Sequence, residues 1–292
     1  MGRFRYSYNS IAFIGEDFGR SVDRLVKYGY EGIELVGEPD WYDVKAVRRQ
    51  SHDAGLAVSS ICSLYTDGRD LSAPEPSQRQ VGKDYVRALA DFAAEVGAPV
   101  IIVAPTQWGK PHPLAPREQE WAWAVESIRE VADYAASVGV NITIEAWNRY
   151  ETYFLNRLDQ CVELLKATGV KNGGVHGDMF HMNIEEVDIA DAYRRAGKHL
   201  NHTHIADSNR AAPGAGHIDF VPVVKALDEI GYEGYLCFEL LPATNDPFAL
   251  IRAGGASEFL DQYVELAIGT MKKAEAAALG LGGQPATTSQ ER

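Results

Sequence analysis

Four side chains stand where carboxylates, an imidazole and a cation could meet. Glu145 closes the run NITIE, Asp178 closes GGVHGD, His204 lies within HTHIAD, and Glu239 closes YLCFE. Carboxylates crowded into a partly dry site repel one another strongly unless a cation neutralises them. Three hard oxygen donors and one nitrogen suit a single divalent ion, manganese first, with magnesium or cobalt as alternatives, and leave positions open for substrate oxygens. A structural zinc site would draw on thiolates instead. Taken singly, any of these acids is as readily a helix cap or the partner of a lysine. Four in register on neighbouring strands point to one shared site. His176 and His202 each precede a proposed ligand by two residues, which puts them on the same inward face one layer deeper. They read as core histidines, with ligation of a second metal as the alternative.

The elements that must position these groups follow from periodicity. Short β-rich runs alternate eight times with amphipathic segments: Phe4 to Tyr8, Gly32 to Val36, Ala57 to Ser63, Val100 to Ala104, Asn141 to Glu145, Gly173 to Asp178, His202 to Ala206, and Tyr235 to Leu240. Between them, Val81 to Val96 and Glu120 to Val138 carry helical spacing and stop at Gly97 and Gly139. Repeated strand, helix, glycine, strand predicts parallel pairing with right-handed crossovers, and eight such units close into a single (β/α)8 barrel, an α/β TIM barrel. The absence of GxGxxG after the first run argues against a doubly wound sheet. In a barrel the carboxyl ends of the strands converge on one face, which carries the active site. The barrel is expected over residues 1–278, with Ser257 to Ala278 as a helical extension and 279–292 as a disordered tail. Thr66 to Pro76 and Pro105 to Pro116 are the longest irregular stretches and fall where active-site loops belong. The region LPATNDPFALIRAGGASEFL is expected to add a lid or a partner surface.

Composition narrows the function. With 46% hydrophobic and 24% charged residues over 292 positions, the chain can bury a sizeable core. A formal charge of -13, from 41 acidic and 28 basic residues, sets up a field that repels phosphate backbones and anionic membranes, so nucleic acid and membrane partners are not expected. No run of about 18 apolar residues occurs, and no signal sequence or myristoylation pattern opens the chain. Cys62, Cys161 and Cys237 are odd in number, far apart and without CxxC spacing. They read as reduced thiols of a cytoplasmic protein. Trp108 and Trp147 follow strand ends and could stack on a sugar or an aromatic group, or pack in the barrel wall.

The strings EAWNRYE (Glu145 to Glu151), GDMFHMNIEE (Gly177 to Glu186), HIADSNR (His204 to Arg210) and FEL at Glu239 resemble the ketose 3-epimerases, the D-tagatose, D-psicose and L-ribulose 3-epimerase group of the xylose-isomerase-like barrels. The resemblance implies that Glu145, Asp178, His204 and Glu239 bind the metal and that Glu145 and Glu239 double as the acid and base pair. It also implies that Glu151, His181 and Arg210 bind oxygens at one end of the sugar, and that the protein is a homo-oligomer. It spans about a third of the chain. The sequence departs from the group at Ala146, Trp147 and Gly177, where Pro or Val commonly follows the first Glu and Leu precedes the Asp, and this bears on pocket shape.

The expected activity is epimerisation or isomerisation of an unphosphorylated ketose. A proton beside a ketone leaves only when the enolate meets a cation as charge develops; one carboxylate takes it and the opposite one returns it on the other face. No glycine-rich anion loop follows the seventh or eighth run, which disfavours a sugar phosphate. The same enolate beside a 3-keto group could instead expel a substituent. The protein would then be a lyase on 3-keto glycosides, such as the catalytic subunit of a C-glycoside-cleaving complex that works with a second subunit. Two other classes are a non-catalytic sugar-binding barrel, and a DNA-repair endonuclease of similar fold, which would want further histidine ligands and a basic groove.

Overall fold

In the computed structural model, eight parallel strands hydrogen-bond in chain order and the last closes on the first. The structure describes residues 2–66, 68–242, 244, 249 and 257–281. The strands are β1 (Arg5–Asn9), β2 (Gly32–Val36), β3 (Ala57–Cys62), β4 (Val100–Val103), β5 (Asn141–Glu145), β6 (Gly173–Asp178), β7 (Leu200–Ile205) and β8 (Tyr235–Phe238). Around them lie α1 (Phe18–Tyr28), α2 (Val44–Ala54), α3 (Pro76–Val96), α4 (Arg117–Ser137), α5 (Leu158–Thr168), α6 (Met179–Glu185), α7 (Ile189–Ala196), α8 (Phe220–Glu229) and α9 (Ser257–Leu279). The expected single barrel with a terminal helix is what the chain forms. Gly97 ends α3 at φ 81°, a left-handed conformation that L side chains resist. Leu279 still belongs to α9, and residues 282–292 of the expected tail and most of the region from Leu241 to Leu260 lie outside the described residues. Among those that are described, no helix is long and apolar enough to cross a membrane.

Side-chain alternation explains how the strands serve two surfaces at once. Ile33 and Leu35, Ile142 and Ile144, Thr203 and Ile205, and Leu236 and Phe238 are fully buried. They lie on the outward faces of their strands, beneath the helices. The residues between and after them, Glu34, Thr143, Glu145, His202, His204, Cys237 and Glu239, take the inward positions. Parallel barrels usually fill that interior with Val, Ile and Leu. In β5 to β8 it is polar instead.

Gly177 shows the same alternation from the outer side. A Cβ there would lie 2.3 Å from the Tyr193 ring of α7, and the Tyr193 hydroxyl donates to the Gly177 carbonyl at 2.9 Å. The departure at this position is therefore an outward packing adjustment that seats α7 against β6, and it leaves the inward face untouched.

Candidate metal centre and active site

Parallel registration brings the strand ends together at one level. Glu145 pairs with His176, Asp178 with His204, and His204 with Cys237, so the carboxyl ends of β5 to β8 rise in step. Glu239 follows directly on β8. All four proposed ligands are buried. Donor atoms of Asp178, His204 and Glu239 lie within 4.8 Å of one another, as do those of Glu145 with His176 and His204, and of Glu145 with Asp178 and His181.

Asp178 answers to both readings of a strand-end acid. Its Oδ1 caps α6, accepting from Phe180 N at 2.8 Å and His181 N at 3.3 Å. Its Oδ2 makes no aligned hydrogen bond but is ion-paired with Arg210 Nη1 at 3.0 Å, and it lies 3.4 Å from His204 Nδ1. His204 Nδ1 also makes none, although Glu239 Oε2 is only 2.7 Å away, because the alignment is wrong for a hydrogen bond. Two donors about 2.1 Å from an octahedral ion stand about 3 Å apart. Buried oxygen and imidazole donors at that spacing fit a divalent ion, with Arg210 holding the positive charge beside Asp178 Oδ2.

Electrostatics gives the same picture. Burial drives the Glu145 carboxyl well above the usual carboxylate range, reinforced by Asp178 and Glu239 and opposed by His204 and a hydrogen bond from Trp147. For Asp178 burial pulls upward too, but Arg210, His181 and His204 outweigh it and hold the group well below its ordinary value. Burial would depress His204, yet Glu34 and Glu239 dominate and raise it well above the usual imidazole range. The shifts favour the protonated forms of Glu145 and His204, and Arg210 adds positive charge beside Asp178 and Glu239.

Arg210 reaches Asp178 Oδ2 with Nη1 at 3.0 Å and pairs with Glu239 through Nη2. It is the one non-glycine residue with positive φ, 63°, among the described residues, and such backbone strain concentrates at functional sites. A tight loop holds it there. Arg210 N donates to the Asp207 carbonyl, and the Asp207 carboxylate accepts from Ser208 N, Gly214 N and Ile218 N.

The other expected contacts divide. His181 is buried, and its Nδ1 accepts from Asn148 N at 3.3 Å and Asn148 Nδ2 at 2.8 Å. Its proton is therefore on Nε2, which points toward Asp178 at 4.0 Å. Burial, aided by Arg210, keeps the ring neutral by lowering its pKa. Asn148 Nδ2 also donates to Glu151 Oε1 at 2.9 Å, tying Glu151 to the same corner. Trp147 is 8% exposed and packs edge-on against Tyr65, so it forms wall behind Glu145. Trp108 is 57% exposed and stands on the rim.

Sequence reasoning passed over Glu34, Asn148 and Cys62. Glu34 is fully buried in β2 and contacts both His202 and His204; a lone acid within the apolar run GIELV was the available signal. Asn148 sits inside EAWNRYE without any mark of its role. The Cys62 thiol lies 3.9 Å from Glu239 Oε1. His202 is hydrogen-bonded through Glu34, whereas neither ring nitrogen of His176 has a partner.

Comparison with known proteins fits this geometry. The family model described as xylose isomerase-like TIM barrel matches residues 22–260. The D-psicose 3-epimerase of Ruminiclostridium cellulolyticum is 30% identical over 248 residues, 82% of this chain and 80% of that protein. The 3-dehydro-D-guloside 4-epimerase of Escherichia coli is 29% identical over 243 residues, 81% of this chain and 92% of that one. The solved structure of the D-psicose 3-epimerase from Clostridium cellulolyticum with D-tagatose superposes with a TM-score of 0.82 at 26% identity, covering 93% of this chain and 99% of that one.

Proposed function

We propose that this chain, which belongs to the xylose isomerase-like TIM barrel family, is a divalent-metal-dependent epimerase of an unphosphorylated ketose. The observation that supports the reading is that donor atoms of Asp178, His204 and Glu239 lie within 4.8 Å of one another, with Glu145 in the same range of His204 and, in a separate group, of Asp178. Manganese is the ion we favour from the donor set. When bound, the metal supplies the positive charge against which an enolate develops.

The chain's own residues do the rest. Glu145 ends β5 and Glu239 follows β8, with β6 and β7 between those strands, and so the two approach a bound sugar from different sides. One removes the proton beside the ketone and the other returns it on the opposite face, which inverts the carbon. Neutral His181 offers an Nε2 proton to a sugar oxygen, Glu151 accepts from a hydroxyl, and Arg210 turns its guanidinium from the carboxylates to the substrate. Trp147 and Tyr65 close the wall and keep water from the enolate.

The test is solvent exchange. Manganese-loaded protein incubated with D-fructose or D-psicose in deuterium oxide should place deuterium at carbon 3 and return both epimers. Glu145→Gln and Glu239→Gln should each lower turnover by about 10² to 10⁴ while the sugar still binds. Full turnover in both variants, or release of an aglycone from a 3-keto glycoside with no exchange into free ketoses, would overturn the reading.

A further inference from the structure

We infer that Glu34 is a positioning residue for the metal: its carboxylate holds the proton of His204 on Nε2 and so presents the Nδ1 lone pair to the ion. The inference rests on the metal reading proposed above. Glu34 lies in the middle of β2, on a different side of the barrel from the ligand-bearing strands, and is fully buried. Its Oε1 stands 2.6 Å from His204 Nε2, and its Oε2 stands 2.7 Å from His202 Nε2. Ser60 Oγ donates to Oε2 at 2.6 Å and Cys237 Sγ approaches Oε1 at 3.5 Å. Four donors surround one carboxylate, so it is held without freedom to turn.

A neutral imidazole has one proton to place. Were Glu34 absent, that proton would find two attractive carboxylates on the other side, Glu239 Oε2 at 2.7 Å and Asp178 Oδ2 at 3.4 Å from Nδ1. An N–H would then point where the ion must bind. Glu34 reverses the preference by giving Nε2 a charge-assisted, fully buried acceptor, the usual way in which an outer carboxylate orients a ligating histidine. His202 restrains the second oxygen, so the acceptor cannot swing away from His204.

The cluster of Glu34, His202, His204 and Cys237 is support, and does not form a second ion site. The two carboxylate-to-imidazole contacts here, 2.6 and 2.7 Å, are aligned, unlike the one between Glu239 and His204 Nδ1. Those are hydrogen bonds, and they engage the nitrogens that an ion in the cluster would require.

The experiment is a manganese titration of the wild-type protein, Glu34→Gln and Glu34→Asp, with free Mn2+ read by electron paramagnetic resonance and folding by circular dichroism. The expected result is a dissociation constant about 10- to 100-fold higher in both folded variants. A merely structural role would lower the melting temperature and leave the affinity of the folded protein unchanged, which would overturn the inference. Should neither variant fold, long-range 1H–15N spectra of the wild-type protein loaded with Zn2+, assigned with the His204→Asn protein, decide it. A proton on His204 Nε2 is expected, and a proton on Nδ1 would refute it. Wild-type protein that binds no Mn2+ overturns the metal reading itself, whereas binding that is indifferent to Glu34 overturns only this inference.

Discussion

Loading the metal-free protein with Mn2+ should expel two protons. Burial, with Asp178 and Glu239 nearby, holds the Glu145 carboxyl well above the ordinary carboxylate range. Burial opposes a charged His204, but Glu34 and Glu239 outweigh it and raise its pKa well above the usual value. Each group therefore keeps its proton to a higher pH than an ordinary carboxyl or imidazole does. A divalent ion needs a carboxylate from Glu145 and a lone pair from His204, so both protons must leave. Two protons out and two positive charges in leave the net charge of the pocket unchanged, as a poorly solvated site demands. Release of two protons makes the association constant climb about 100-fold per pH unit, about 2.7 kcal/mol per unit. The slope flattens once pH passes the raised values. Calorimetric titration with Mn2+ in two buffers of different ionisation enthalpy counts the protons, and a pH series gives the slope. The Glu145→Gln protein should release about one proton fewer. A wild-type count under about one half, or an affinity indifferent to pH, would refute the reasoning.

Further outcomes follow from the same charges. Asp178 and Glu34 are depressed by cationic partners that overcome burial, so their stabilisation is present above the ordinary carboxyl range and disappears as pH falls below about 4. His204 is raised, so its contribution is complete below about pH 6.5 and is lost as pH climbs through the raised value, while ionising the raised Glu145 destabilises in the same direction. Chelated protein should melt at falling temperature as pH rises above neutrality, and saturating Mn2+ should flatten the fall; a metal-free melting temperature that climbs over that window would contradict this. Arg210→Met strips the buried guanidinium from Asp178 and Glu239, a loss of about 3–5 kcal/mol. At about 0.6 kcal/mol per degree for a chain of this length, the metal-free melting point should drop by about 5–8 °C. The upshift on adding Mn2+ should exceed that of the wild type, and equal deficits with and without the ion would count against the argument. Lys110→Met leaves Asp70, 3.0 Å away, and Glu120, 3.5 Å away, without their buried cation. Urea melts should show a comparable loss of about 3–5 kcal/mol, partly recovered by adding Asp70→Asn, and an unchanged midpoint would show that the pair holds nothing together.

What could be read from the chain beforehand was whatever repeats locally. β2, β5 and β6 fall on the expected residues, because each is a short run whose bounds are visible within six positions. Glu145 and Asp178 stand at strand ends for the same reason. Glu34 has no such signature. Its role depends on β2 facing β7 across the barrel, a relation between residues 168 and 170 positions apart in sequence, and nothing local to GIELV encodes it. Asn148 meets His181 only after the loop following β5 has folded over α6. Arg210 was legible as a sugar contact through resemblance, but its grip on Asp178 and Glu239 needs the positive φ that the Asp207 loop imposes. Trp147 follows a strand end in sequence, and its burial against Tyr65 is set by the neighbouring β3 loop.

The polar barrel interior ties these differences together. An apolar filling of Val, Ile and Leu would stabilise a parallel barrel without needing partners, whereas each buried polar group here demands one. Glu34 meets that demand for His202 and His204, Ser60 and Cys237 meet it for Glu34, and Asp178 divides its two oxygens between the α6 cap and the open centre. Each bond fixes a rotamer one layer below or beside a donor, so the donors arrive at the mouth already oriented. Thr143 is one exception and His176 another, with neither of its ring nitrogens satisfied and Glu145 Oε1 3.6 Å from Nδ1. Burial and the adjacent His204 and His202 keep it neutral by depressing its pKa. A neutral ring beneath Glu145 offers that carboxyl no positive charge, so burial and the nearby Asp178 and Glu239 are left to favour its protonated form. The same interior that orients the donors therefore also favours the protonated form of Glu145.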